Sequence, residues 1–351
     1  MKTEDQIMLA RMVELRRTLD TFENSAVRQL YKVYGDLIGD LSKVIASKTS
    51  TSFSVGQAKI LLQEVQQTLE VIAERLTIPA SEAIGYAGEY AYLEMNKIVS
   101  WDYKYLGFNS VQLTAFQIQQ MVVEQKLGGK TLGQWMGSAF IDVDTILPEI
   151  QKGIIKGESY AKIVSRIDNA IMGNHPKQHI DSIVKTYIQS VNVKAQEEVY
   201  EANKDIVKEM EWSAIMEGGN TKTGRGTCPR CAALDGQRWS VSDKSKPYMP
   251  LHVRCRCVWA PITITWKELG FDVPEMEEAY QPWVDRAGKD RALDDYGFTD
   301  KNYKDWWWSR GKAFQDNAIG PMRANLVRGR KIKFEDIIDD KGNLILIKDL
   351  I

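Results

Sequence analysis

Away from one short window this chain of 351 residues has no cysteine at all, and its histidines number only 3. Outside that window there is neither a disulfide framework nor a set of imidazoles for distributed acid–base chemistry. No apolar run approaches the length of a membrane span. The first residues, MKTEDQIMLARM, are charged from the start and lack the apolar core of a secretion signal, so synthesis in the cytoplasm is expected. Net charge is nearly absent as well: 46 Lys and Arg against 47 Asp and Glu leave −1. The whole molecule is therefore no polyanion binder, and any nucleic-acid contact must be a local patch. No phosphate-binding glycine loop, nucleophile elbow or HExxH string occurs.

What is present is ordinary globular material, 44% hydrophobic and 26% charged, enough for two domains plus connections. Apolar residues recur at helical spacing from Met12 and Leu15 through Leu19, Phe22, Ala26, Leu30, Leu37 and Leu41, which predicts a helix over 5–45. A polar loop over 47–54 follows. Ser54 with Gln57 resembles a capping box opening a second helix, with Val65, Leu69, Ile72 and Leu76 on its face. Pro79 is placed early in a third helical segment, where its missing N–H costs least. Further helices are expected at 110–126, 131–140, 144–154 and 158–172, then a long one over 178–210 with Ile180, Val184, Tyr187, Val191 and Val199 inward. From 212 the texture changes to glycine-rich loop, an Asp235-Gly236 turn and a short strand at Val258-Trp-Ala-Pro-Ile-Thr-Ile. Residues 274–297 read as loop, and 306–326 as a last helix. The fold class is mainly α: a helical N-terminal region (1–145), a helix plus small zinc-stapled β-hairpin module (146–264) and a C-terminal extension with a helix (265–351).

The window itself carries all four cysteines, Cys228-Pro-Arg-Cys231 and then His252-Val-Arg-Cys255-Arg-Cys257. Zinc favours four soft or borderline ligands in a tetrahedron, and two close pairs supply them. Cys228, Cys231, His252, Cys255 and Cys257 offer five candidates for four places; Cys228 and Cys231 are expected with two of the other three. The competing reading is a redox Cys-x-x-Cys pair, but such a motif opens a helix after a strand in an α/β fold. A catalytic metal is disfavoured because open sites usually carry His and carboxylate ligands. The expectation is a structural staple.

These residues, Thr-Cys228-Pro-Arg-Cys231-Ala-Ala-Leu-Asp-Gly236 and Pro250-Leu-His252-Val-Arg-Cys255-Arg-Cys257, resemble the signature of the Mu F-like minor head proteins of tailed bacteriophages. Lys152-Gly-Ile-Ile-Lys-Gly157 resembles the helix start ahead of that family's zinc-like hairpin. Tyr303-Lys-Asp-Trp306, Phe314 to Arg323, Gly329 to Phe334 and the closing Leu344 to Leu350 resemble its C-terminal extension. Two departures are visible: Gly224-Arg-Gly-Thr227 replaces an acidic-Arg-Thr run, and Val253 replaces a proline. The resemblance implies a non-enzymatic minor capsid protein in the inner head near the portal. It would act in procapsid assembly, with the portal, capsid and scaffold proteins as partners, and in DNA packaging or ejection. The alternatives are a zinc-containing nucleic-acid-binding protein, for which Arg323, Arg328, Arg330, Lys331 and Lys333 form a basic cluster, and a metal-dependent or toxin-like enzyme. Trp306-Trp307-Trp308 cannot all face one core from a helix, so one of them is expected at the surface or an interface.

Overall fold

The computed structural model describes residues 3–46, 55–103, 108–140, 176–214, 227–265, 268 and 302–350, with isolated positions between 148 and 169. The chain divides into two compact units that are not contiguous in sequence. One comprises Thr18–Tyr90 with Leu113–Val191; the other comprises Met1–Arg17, Ala91–Gln112 and Asn192–Ile351. The described elements are mainly helical, with one small antiparallel sheet. None of the helices described is long and apolar enough to cross a membrane.

Two long helices open the chain, α1 (Thr3–Ala46) and α2 (Val55–Tyr103). The expected inward residues Met12, Leu15, Leu19, Leu30 and Leu37 of α1 are buried, but Phe22 is not; its ring lies 5.6 Å from that of Tyr90 at the surface. In α2 the faces read from sequence, Val65, Leu69, Ile72 and Leu76, are buried. Pro79 does not open a new segment: α2 runs straight through it. A proline inside a helix costs about 3 kcal/mol, but Ile72, Leu76, Ala80, Ile84 and Ala87 stay buried on both sides of it. Burying several such side chains at about 1.5–3 kcal/mol for each large one outweighs that loss.

Within the 18–90 and 113–191 unit, α3 (Ala115–Glu124) and α4 (Leu132–Phe140) are short and closed by capping boxes. Thr114 accepts from the Gln117 amide while the Gln117 side chain accepts from Thr114 N–H, and Thr131 and Gln134 exchange the same pair. Gly85 and Gly88 let the helices cross closely. A Cβ at Gly85 would sit 2.7 Å from the Ala115 carbonyl oxygen, and one at Gly88 2.4 Å from Val191 Cγ1 and 2.7 Å from Ile118 Cγ2. Ile118, Val122, Leu132, Met136, Ile180, Val184 and Tyr187 fill the core beside them. The Tyr187 hydroxyl donates to the carbonyls of Gln125 and Lys130, and Trp135 Nε1 donates to Leu127 O at 2.7 Å. The helices expected at 144–154 and 158–172 fall mostly outside the described residues, as do the loop of 274–297 and the Gly218 and Gly224 stretches.

The other unit is built on a three-stranded sheet of order β2-β1-β3, from β1 (Val207–Ser213), β2 (Arg238–Ser240) and β3 (Val258–Thr263). The helix expected over 178–210 is α5, Pro176–Ala202; it stops short, and β1 takes the rest. From Val207 the chain Val-Lys-Glu-Met-Glu-Trp-Ser buries Val207, Met210 and Trp212 while Lys208 faces water, a strand alternation broken by one irregularity between Val207 and Glu209. Strand β3 falls where the sequence places it, and Pro261 is tolerated because β3 is an edge strand. Trp212 pairs with Trp259 across the sheet, rings edge to face at 5.2 Å. The buried end of α5 anchors β3: Tyr200 OH donates to Trp259 O at 2.6 Å, and Gln196 Oε1 accepts from Trp259 N. Asp5 in the first turn of α1 accepts from both the amide and the hydroxyl of Thr263.

The single tail helix expected over 306–326 is three, α7 (Tyr303–Trp308), α8 (Lys312–Ile319) and α9 (Pro321–Arg328). Gly320, at φ 86, with Pro321 after it, ends one helix and opens the next. Of the three tryptophans, Trp306 and Trp307 are buried and Trp308 is exposed. Trp307 Nε1 donates to Gln315 O, and Gln315 Nε2 donates back to Trp307 O.

Candidate metal centre

Cys228 is the N-cap of a six-residue helix, α6 (Pro229–Leu234), and its sulfur accepts from the Cys231 amide at 3.3 Å. Pro229 occupies the first turn, where its ring is preorganised for a helix and no N–H is lost. The Cys-x-x-Cys segment thus opens a short helix after β1, as a redox pair would; what favours a metal is that His252, Cys255 and Cys257 gather against it. One helical turn brings Cys231 back towards Cys228 and buries its sulfur. At Gly236, φ 80, the chain reverses into β2.

The second half of the site precedes β3. The Cys255 amide donates to His252 O at 3.1 Å, and Arg254 takes a left-handed φ of 60 to close the turn. Cys255 and Cys257 are both buried. His252 Nδ1 lies 2.8 Å from the Val253 carbonyl and donates to it, which leaves Nε2 as the nitrogen that faces the sulfurs. Nε2 lies 3.3 Å from Cys231 Sγ, and Cys255 Sγ is 3.9 Å from Cys231 Sγ. Metal-bound histidines characteristically give their other ring proton to such a carbonyl.

The structure therefore brings all five sequence-predicted residues together, as two overlapping triads: Cys228, Cys231 and His252, and Cys231, Cys255 and Cys257. Within each triad every pair of ligand atoms lies within 4.8 Å, and Cys231 belongs to both. A tetrahedral zinc with bonds of about 2.3 Å to sulfur and about 2.0 Å to nitrogen requires S···S edges of about 3.8 Å and S···N edges of about 3.5 Å. The observed 3.9 Å and 3.3 Å bracket those edges. The four thiols are free, so the arrangement is no disulfide.

Protonation fits the same use. Hydrogen bonding from Cys231 pulls the Cys228 thiol down to about 5 and holds Cys255 well below the usual thiol range. Donation to Cys228 pushes Cys231 up, and burial pushes Cys257 up. Burial opposes charge on His252, but its bonds to the Cys228 and Cys255 sulfurs prevail and raise it to about 11. The five groups share protons at spacings within 4.8 Å in each triad, and a divalent cation replaces such protons directly.

Two residues near the cluster carry contacts that sequence reasoning did not assign. Arg230, between the paired cysteines, donates from Nε to Gly342 O and from a terminal nitrogen to Asn343 Oδ1. Asp235 accepts from the Ala214 and Tyr303 amides, each at 2.6 Å. Together they tie the C-terminal segment to the cysteine helix. Their partners lie up to 113 residues away, and nothing local in the sequence marks them. Part of the expected basic cluster is also spent internally: Arg328 pairs with Asp316, and Arg323 donates to Ile345 O. His179 is exposed on α5, and His175 lies outside the described residues.

Fold and site define a mainly helical protein with a small sheet beside a Cys/His cluster able to hold a metal ion. Residues 144–260 match the family described as Phage Mu protein F like protein, so over that span the chain is similar to the Mu F-like phage head morphogenesis family. The match covers about a third of the chain and includes α5, β1, β2, the start of β3 and every cysteine. No curated protein and no solved structure matches the chain.

Proposed function

We propose that this protein is a minor head protein of a tailed bacteriophage or prophage, a building block that acts in procapsid assembly at or near the portal. The observation that carries the reading is the coincidence of the family match with a closed Cys/His cluster inside it. The reading assigns the protein to the inner head of the virion, with portal and capsid or scaffold proteins as its partners and no chemical reaction of its own. Contact with DNA during packaging or ejection is compatible with the exposed Arg330, Lys331 and Lys333.

In this reading the metal is structural zinc, held by four of Cys228, Cys231, His252, Cys255 and Cys257. Bound there, it supplies a tetrahedral cross-link where a three-stranded sheet has too little core to close its own loops. Cys231 belongs to both triads. Cys228 and Cys231 fix α6, and His252, Cys255 and Cys257 fix the approach to β3. Arg230 and Asp235 then pass that order to the C-terminal segment through their hydrogen bonds.

Co-expression with a portal protein of the same phage or prophage tests the role. Co-purification on a portal ring, and incorporation into procapsids at a few copies each, is the expected result. Normal procapsids lacking the protein, with no association with portal, would contradict it.

A further inference from the structure

A stretch of α2 far from the cysteines presents apolar side chains to water along one line. Ile60, Val71, Ile78 and Tyr86 are 54, 50, 54 and 63% exposed. At 3.6 residues per turn, Ile60, Val71 and Ile78 fall within about 20° of one another around the helix, and Tyr86 about 80° away. The spacings of eleven, seven and eight residues are those of a helix surface that a second helix can follow along its length. Phe116 and Val123 on α3, 66 and 45% exposed, extend the surface. The close crossing of Gly85 with the Ala115 carbonyl places the residues that follow them, Tyr86 and Phe116, at the same junction. Single exposed apolar residues are normal; a run of them on one face is not.

The charge on this stretch of α2 is mostly of one sign. The exposed ionisable residues of α2 between Ile60 and Tyr90 are Glu70, Glu74, Glu82 and Glu89 against Arg75 alone. Among the described residues no cation forms an ion pair with Glu74, Glu82 or Glu89. A second copy laid on this face would set glutamate against glutamate. Nucleic acid and anionic lipid are repelled for the same reason.

We propose that the Ile60–Tyr86 face of α2, with Phe116 and Val123 of α3, docks a helix of a partner protein that is amphipathic and basic, its apolar positions meeting the line and its lysines or arginines meeting the four glutamates. Apolar anchors at i, i+3, i+4 and i+7 seat such a helix, Tyr86 and Phe116 supply the aromatic centre, and the glutamates set orientation and rate of encounter. The inference is independent of the metal centre and of the head-protein reading.

The test uses the full chain and a fluorescein-labelled helical peptide of about 20 residues with leucines at those positions and lysines elsewhere. Anisotropy should show saturable one-to-one binding that weakens with salt, and a peptide with the same leucines and glutamates for lysines should not bind. Two variants locate the site: Val71→Ser with Ile78→Ser and Tyr86→Ser, and Gln in place of Glu70, Glu74, Glu82 and Glu89. Each should weaken binding at least about tenfold while leaving the melting temperature of the chain unchanged. Unaltered binding by both variants, equal binding of the acidic peptide, or no binding would overturn the proposal. A self-association of the chain abolished by Val71→Lys would overturn it in favour of a second copy.

Discussion

Asp235 offers a quantitative handle on how the C-terminal segment is held. Asp235 is half-buried at the end of α6, with one carboxylate oxygen on the Ala214 amide and the other on the Tyr303 amide. Burial raises its pKa to about 7 from the ordinary 3.8, against the lowering effect of those two amides and with a small further push from Glu211. The folded state therefore holds this proton more tightly than the unfolded chain does. The stabilisation is fully present below about pH 4, declines as pH rises, and is lost above about pH 7. At 1.36 kcal/mol per pH unit the span amounts to about 4 kcal/mol. Acid also competes for the cysteines and histidine, so the informative quantity is a difference between two proteins. Asp235→Asn removes the titration and keeps one acceptor. Urea unfolding of both proteins, followed by hydrogen exchange at residues 302–350, should show the native chain gaining on the variant by up to about 4 kcal/mol between about pH 8 and pH 4. Parallel pH profiles would refute the reasoning, because they would mean that Asp235 titrates as a solvated carboxyl.

Removing the metal by chelation, or Cys228→Ser, should expose residues 212–262 to protease while far-UV circular dichroism retains most of the helix signal; unchanged protease resistance there would count against a metal-held module. Gly88→Val forces a side chain into space where even a Cβ lies 2.4 Å from Val191 Cγ1. It should cost about 1–3 kcal/mol by overpacking, measured by denaturant unfolding, with metal content unaffected. In the tail, Trp307→Ala should cost about 3–5 kcal/mol as the loss of a fully buried ring. Trp308→Ser, at an exposed position, should stay within about 0.5 kcal/mol; equal effects would mean that the two rings share one environment.

Much of the helical body was legible because long amphipathic periods leave little choice: α1, the apolar face of α2, the Thr131 start of α4 and the inward residues of α5 all follow from spacing and caps. The failures share a cause in tertiary context. Pro79 marks a helix start by local chemistry, yet burial along Ile72 to Ala87 carries α2 through it. The first half of β1 reads as the end of the expected helix because Val207 and Met210, three apart, also suit a helical count, and only the pairing of Met210 with Trp239 and Pro261 distinguishes them. The candidate site was legible in its ligands, since cysteines and histidine gathered in one window have few other uses. Its supports were not: Arg230 and Asp235 find partners more than sixty residues on.

The most direct test is elemental analysis of the full chain, purified under reducing conditions without added metal, alongside Cys231→Ser. One zinc per chain in the native protein, and a loss of most of it in the variant, is the result expected of a cluster in which Cys231 serves both triads. A native protein free of stoichiometric transition metal, with residues 212–262 nonetheless protected from protease, would contradict the account.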